Sequence, residues 1–309
     1  MQKKELDSGK FDFVGKIGLF GGLSVLFVLV SVIYLAVHGV TYGIDFRGGT
    51  ELQVKFGQKI EIADFRKSVE SADLGEVGVQ TIGDQNELVI RFQGKSGKTD
   101  KETNEILNAS LTKLKEAITT QLAQYQPEIR RVDTVGPQVG AELKRNGLLA
   151  VFYCLLVILI YVALRFDYKY APGAVLCLAH DAIITLALFV AVGKEVNIPI
   201  LAAVLTLIGY SLNDTIVVFD RIRETEHLYK ERGIRFIINK SINDMFTRTL
   251  ITSGTTFTSA LCLYFLAGGT VSDIAFAMCV GIFFGTYSSI YVAAPLILLT
   301  EKLTPSKAS

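Results

Sequence analysis

Residues 196–219 read VNIPILAAVLTLIGYSLNDTIVVF. A membrane helix needs ~20 largely apolar residues to cross ~30 Å of hydrocarbon, and this stretch is long enough. Yet it carries Asp214, with Ser211, Asn213 and Thr215 on one polar patch around it. A charged side chain at mid-span costs about 2.5–3.5 kcal/mol on insertion scales, so a carboxylate there calls for a partner or a task. Read as a span, the stretch makes the chain a membrane protein with a chemically active interior.

Working outward, five further stretches meet the same length and apolarity test: 17–38, 146–164, 171–193, 248–267 and 274–299. Five of the six spans crowd into residues 145–300, so the pattern is one helix, a large insert and five helices. Composition agrees: half the residues are hydrophobic and 20% are charged, against ~25% in an ordinary soluble domain. The apolar stretch at 17–38 follows Lys3, Lys4 and Lys10, but it exceeds a signal-peptide core and no clear A-x-A site follows, so it is read as a retained anchor.

Lys and Arg in short loops set orientation. Lys3, Lys4, Lys10 and Lys16 precede span one, Arg165 and Lys169 follow span two, and Arg221, Arg223, Lys230, Arg232, Arg235 and Lys240 separate spans four and five. Lys302 and Lys307 end the chain, whereas the opposite short loops offer Lys194. Both termini (1–16 and 301–309) are therefore expected in the cytoplasm, with the insert at 39–144 outside. Residues 234–245 alternate Ile with Arg235 and Lys240 as an amphipathic helix does, so 220–247 reads as a cytoplasmic segment, lying on the membrane face or forming a plain loop helix.

Within the insert, Glu51 to Phe56 alternates polar and apolar, which predicts a half-buried strand. A helix is expected over 61–72, strands over 77–82 and 88–92 about a turn at 83–86, a polar linker at 94–100, a long amphipathic helix over 102–124 and a last strand at 129–135. That β-α-β-β-α-β order predicts a ferredoxin-like α+β domain. The fold class expected is a polytopic α-helical membrane protein of six spans carrying this extracytoplasmic domain between spans one and two.

Several enzyme classes find no footing. The formal charge of +1 gives no bulk attraction to nucleic acid. The four Cys (154, 177, 262, 279) sit singly in apolar runs, and the three His (38, 180, 227) lie far apart, so no metal motif or disulfide framework is expected. Gly97-Lys98-Thr99 lacks the earlier glycine of a phosphate loop and is read as a loop. No cofactor and no hydrolytic site are expected.

The charged residues inside the spans are the candidates for function. At ~1.5 Å per residue, Asp181 lies ~15 Å and Asp214 ~9–10 Å from the cytoplasmic side, and Arg248 ~6 Å if its helix begins near Asp244. Arg248 could then reach Asp214. A carboxylate so placed holds or releases its proton according to whether water and a cation are near, so Asp214 is the candidate proton carrier, with Arg248 modulating it; a purely structural buried pair is the alternative. Asp181 either joins that path or hydrogen-bonds a neighbouring span. Adjacent helical residues point ~100° apart, so His180 and Asp181 are not expected to share a site. The hydroxyls of span five (Thr249, Thr252, Ser253, Thr255, Thr256, Thr258, Ser259) either line a water path or join helices.

Five segments together resemble one family: Tyr42 to Thr50 (YGIDFRGGT), Val135 to Gly140 (VGPQVG), Tyr161 to Phe166 (YVALRF), Ala179-His180-Asp181, and Tyr210 to Glu224 (YSLNDTIVVFDRIRE). With the one-plus-five arrangement, they are similar to the SecD–SecF family of protein-export membrane proteins, within the resistance-nodulation-division superfamily. The resemblance covers about residues 11 to 300. It implies a bacterial cytoplasmic-membrane subunit that uses the proton motive force to help unfolded preproteins across, late in export and without hydrolysis. Implied partners are SecD as an obligate second half, the SecYEG translocon, YajC and the preprotein, within membrane lipid and without nucleic acid. Asp214 and Arg248 match the family's proton-pathway positions; Asp181 and Asn213 fall in matching motifs with less settled roles. Asp45, Phe46, Arg47, Gly48 and Gly49 are implied to form a tight mechanical junction. Half of another exporter of the superfamily and a passive translocon scaffold remain as alternatives.

Overall fold

A computed structural model describes residues 9–70, 77–82, 86–92, 100–166 and 170–303. Among them, six helical stretches are long and apolar enough to cross a membrane. They are α1 (Ile17–His38), α5 (Pro137–Arg165), α6 (Ala171–Ala191), α7 (Ile198–Leu228), α8 (Ile234–Leu266), and α9 (Gly269–Ser288) continued by α10 (Ala294–Leu303). A π turn over Ser289–Ala293 joins the last two. Proline opens three of these helices, at positions where the missing N–H would find no helical partner in any case.

The insert contains α2 (Ile44–Arg47), β1 (Gly49–Lys55), α3 (Ile62–Glu70), β2 (Val77–Ile82), β3 (Glu87–Phe92), α4 (Asp100–Gln121) and β4 (Glu128–Val135). The strands form one antiparallel sheet in the order β2-β3-β1-β4, with Leu52 opposite both Ile90 and Val132. The period-two pattern sends Leu52, Val54, Leu88, Ile90 and Phe92 to one face, where Phe65 of α3 and Leu114 and Ile118 of α4 bury them. Glu51, Gln53, Gln80 and Arg91 occupy the other face, turned across a cleft toward the loop at 194–197 and the start of α9. The expected β-α-β-β-α-β domain between span one and the rest is present.

In the membrane domain α6 is the central helix. Ala174, Cys177 and Leu178 lie in one core with Ile208, Val218 and Phe219 of α7, Ile237 and Ile238 of α8, and Ile290 at the π turn. By contrast α1 is peripheral and exposes Leu19, Val25, Val30 and Ile33, an apolar surface suited to lipid.

Three expectations change. Segment 234–245 is no separate helix on a membrane face but the first part of α8, running unbroken into span five. Its polar side chains meet protein, since Asn239 and Asn243 bond the backbone of Phe11 and Phe13. Span four likewise continues past Asp220 to Leu228, because its charges lie at the surface of a helix whose other face stays apolar and buried. Helix α5 starts at Pro137, immediately behind β4 and well before the expected start of span two at 146, so the outer domain runs straight into that helix. Residues 83–85 of the predicted turn, 94–99 of the predicted linker, and Lys3, Lys4, Lys169 and Lys307 lie outside the described residues.

Candidate functional site

Two polar constellations sit within the spans, and a third joins them to the outer domain.

The first centres on Asp214, 4% exposed on α7. Its Oδ2 accepts a hydrogen bond from Ser253 Oγ of α8 at 2.9 Å. Arg248 is exposed on α8 and makes no ion pair with Asp214 among the described residues, although its charge acts on the carboxylate. Helix α8 begins at Ile234, ten residues before the expected start near Asp244, and Ser253 is the residue that reaches the Asp214 carboxylate. Arg248, five positions earlier, lies ~140° around the helix at ~100° per residue, so it points past the carboxylate. Asn213 is exposed beside Asp214, with its amide near the carboxylate. Thr252, Thr255, Thr256, Thr258 and Ser259 donate to backbone carbonyls of α8 itself. Tyr210 of α7 adds a cross-helix bond to Thr256, 3.1 Å long. Ser253 is one of seven candidate hydroxyls in the sequence of this span, and its spacing alone does not distinguish it.

The second centres on Asp181, 1% exposed on α6. Ser211 Oγ of α7 donates to Oδ2 at 2.5 Å, and Ser288 Oγ of α9 donates to the same atom at 2.9 Å. His180 Nδ1 lies 2.9 Å from Oδ1. The two neighbours therefore do share a site: the imidazole and the carboxymethyl group span the ~100° between their positions. Cys177 and Thr215 complete the cluster. Ser211 precedes Asp214 by one turn of α7, so the two constellations meet through that helix.

The third is the junction at Asp45 to Gly49. One turn, α2, exits into Gly48 and Gly49 at φ 76° and 130°, values that L side chains rarely adopt. A Cβ on Gly48 would lie 2.8 Å from Pro137 Cα, and one on Gly140 would lie 2.9 Å from Gly48 N. The segment Val135 to Gly140 is thus the bed on which the glycine pair lies. Phe46 is buried with Val196, Ile200 and Ala203. Asp45 Oδ2 accepts the Ile198 N–H at 2.9 Å, beside the Asn197 side chain that caps α7 through Ile200 N. Gly43 N–H donates to Val196 O, and Val196 N–H to Thr41 O. From the sheet, Arg91 bridges Glu51 at 2.6 Å and Glu195 at 3.4 Å. Asp45 as a helix cap could not be found from sequence, because its acceptor role depends on α7 arriving from about 150 residues downstream.

The family description "Protein export membrane protein SecD/SecF, C-terminal" matches residues 113–303, and "SecD/SecF GG Motif" matches residues 33–60, across the junction just described. The chain is 40% identical over 303 residues to "Protein translocase subunit SecF" of Calditerrivibrio nitroreducens, covering 96% of each chain. The chain belongs to the SecF family. It is also 41% identical to the protein of the same name from Magnetococcus marinus, covering 96% of this chain and 94% of that one. The crystal structure of SecDF, a translocon-associated membrane protein from Thermus thermophilus, superposes with TM-score 0.81 and 33% identity over 94% of this chain. A SecDF structure in a super-membrane-facing form gives 0.68 over 95%. This SecF-family chain spans 39% of the length of each of those SecDF chains.

Proposed function

We propose that this chain is the SecF half of a proton-driven export complex. It works with SecD at the SecYEG translocon, with YajC as a further associate, and uses the proton motive force late in the passage of unfolded preproteins. The complex resides in the bacterial cytoplasmic membrane with both termini of this chain inside. Residues 39–136 form the outer domain, and the five-helix membrane domain follows from the start of α5 at Pro137.

The observation that carries the reading is Asp214, buried in a span with only neutral donors on its carboxylate and the Arg248 cation close by. A carboxylate without an ion pair is expensive to keep ionised in hydrocarbon. It accepts a proton when sealed and gives it up when water or Arg248 approaches. Asn213 and Arg248 are exposed beside it, and polar groups facing lipid would be costly there, which is the argument for SecD as the covering half. A shift of α7 on proton transfer acts directly on its capped outer end, where Asp45 and Gly43 hold it to the outer domain. That gives proton movement a mechanical route to the domain nearest the emerging chain.

Proteoliposomes containing this chain with SecD, loaded with a pH-sensitive dye, test the reading. An imposed gradient should acidify the lumen faster than in empty vesicles, and Asp214→Asn should return the rate to that of the empty vesicles. Equal rates from the parent complex and the Asp214→Asn complex would remove the proton-carrying role.

A further inference from the structure

Asp181 lies in a span with both carboxylate oxygens occupied, yet the bonds from Ser211 and Ser288 are neutral. Among the described residues, the titratable groups around the His180–Asp181 pair are Cys177 of the same helix and Tyr291 of the π turn, which borders the same cavity as His180. Ser211 and Thr215 face the pair from α7 and Ser288 from α9. No Lys or Arg is among them. An ionised carboxylate beside a neutral ring would leave a net negative charge in hydrocarbon. The cluster becomes neutral when it holds one more proton, either as imidazolium with carboxylate or as carboxylic acid donating to Nδ1. Both neutral arrangements put a hydrogen on Nε2, and His180 Nε2 is buried without a partner among the described residues. His180, 5% exposed, lines a cavity of about 510 Å³ bounded by Ile17, Ser24 and Val28 of α1 and by Tyr291 and Leu296. Ser288 stands immediately before the π turn, and wide turns of this kind inside helices are frequent at functional sites.

We propose that His180 and Asp181 form a second proton-binding site, separate from Asp214, sharing one proton between Nδ1 and the carboxylate. On uptake, a proton from water bonds to the pair, and its charge cancels that of the carboxylate. On release, the pair returns to ionised Asp181 and a neutral ring. Ser211 links the site to α7, one turn from Asp214, so the occupancy of one site bears on the position of the other. The inference concerns proton binding by the chain itself and stands whether or not Asp214 drives export.

Of the three histidines, His38 and His227 are exposed and lie outside the cluster, so a full-length chain with His38→Gln and His227→Gln isolates His180 with its cluster intact. In lipid nanodiscs stepped from roughly pH 5 to pH 8, the range where histidine switches, ring-nitrogen NMR should show this histidine gaining and losing its proton. The titration should persist in Asp214→Asn and move by about one pH unit or more in Asp181→Asn. Ser288→Ala, a milder change that removes one donor from the carboxylate, should also move the midpoint and serves if Asp181→Asn does not fold. A ring fixed in one state throughout, a midpoint indifferent to the folded Asp181 and Ser288 variants, or a titration abolished by Asp214→Asn would each overturn the proposal.

Discussion

The Asp45 carboxylate accepts the backbone N–H of Ile198 at 2.9 Å, so a residue of the turn entering the outer domain caps the helix that carries Asp214. At ~1.5 Å per residue, Asp214 lies about 24 Å further along the same helix. A rigid helix with its outer end held by the junction and its interior carrying an unpaired carboxylate acts as a lever only if the hold is firm. Three contacts make it so: the Asp45 cap, the Gly43–Val196–Thr41 backbone pairing, and burial of Phe46.

Loss of the cap should therefore be measurable. Asp45→Ala removes an acceptor at a helix N-terminus, an effect of about 0.5–2 kcal/mol, whereas Asp45→Asn keeps one. Thermal unfolding of the purified chain should place the Ala variant below the Asn variant, which stays near the parent. Equal melting of the two would show that the cap contributes nothing.

The glycine bed predicts a steeper effect. Gly48→Ala places a Cβ against Pro137 at positive φ, and Gly140→Ala places one against Gly48 N. At Gly48 the backbone strain costs about 1–3 kcal/mol, and at Gly140 the added Cβ meets backbone atoms that cannot swing away. Either variant should accumulate less folded protein in membranes, and the double variant should be no worse than the sum, since both press on one contact. Normal accumulation of both would contradict the close approach.

Asn239 accepts the N–H groups of Phe13 and Val14 and donates to Phe11 O. Asn239→Ala leaves those backbone groups to find other partners, a loss of about 1–3 kcal/mol where burial denies them water. Limited proteolysis should then cut before α1 at a lower protease dose than in the parent chain, and Asn239→Asp should cut at an intermediate dose. Unchanged cleavage in both would mean that the amino-terminal segment is held by its aromatic contacts alone.

Glu195 supplies the pH dependence. Burial raises its carboxyl above 4.5, and Arg91 only partly opposes this. The folded chain therefore binds more protons than the unfolded one between 4.5 and the raised value. Stability from this group is fully present below the unfolded value and declines as pH rises through the folded one. Glu195→Gln should flatten the decline in melting temperature across that window. An unaltered pH profile would refute the assignment.

How much of this could be read in advance depends on which force dominates locally. The spans were legible because hydrocarbon demands continuous apolarity, and the outer domain because alternation in Glu51 to Phe56 and helical spacing in 102–124 report one-sided burial. The extents of α7 and α8 were not, since charges at Asp220 or Arg235 end an apolar run without ending a helix. Asp214 stood out by the cost of its burial. Its cross-helix neighbour, Ser253, did not: choosing it over Arg248 requires the rotation of α8 against α7, which tertiary packing sets. The His180–Asp181 contact was missed for a related reason, because angular spacing describes Cβ directions and not the reach of the side chains.

The central claim is that a protonatable carboxylate at Asp214 drives export. The direct measurement is the rate at which a secreted precursor matures in cells whose sole copy of this chain carries Asp214→Asn, with assembly with SecD verified by blot. The account predicts slowed maturation with assembly intact, and substantial recovery with Asp214→Glu, which restores a titrating group. Maturation at the parental rate in an assembled Asp214→Asn complex would contradict it and leave a passive translocon scaffold as the better description.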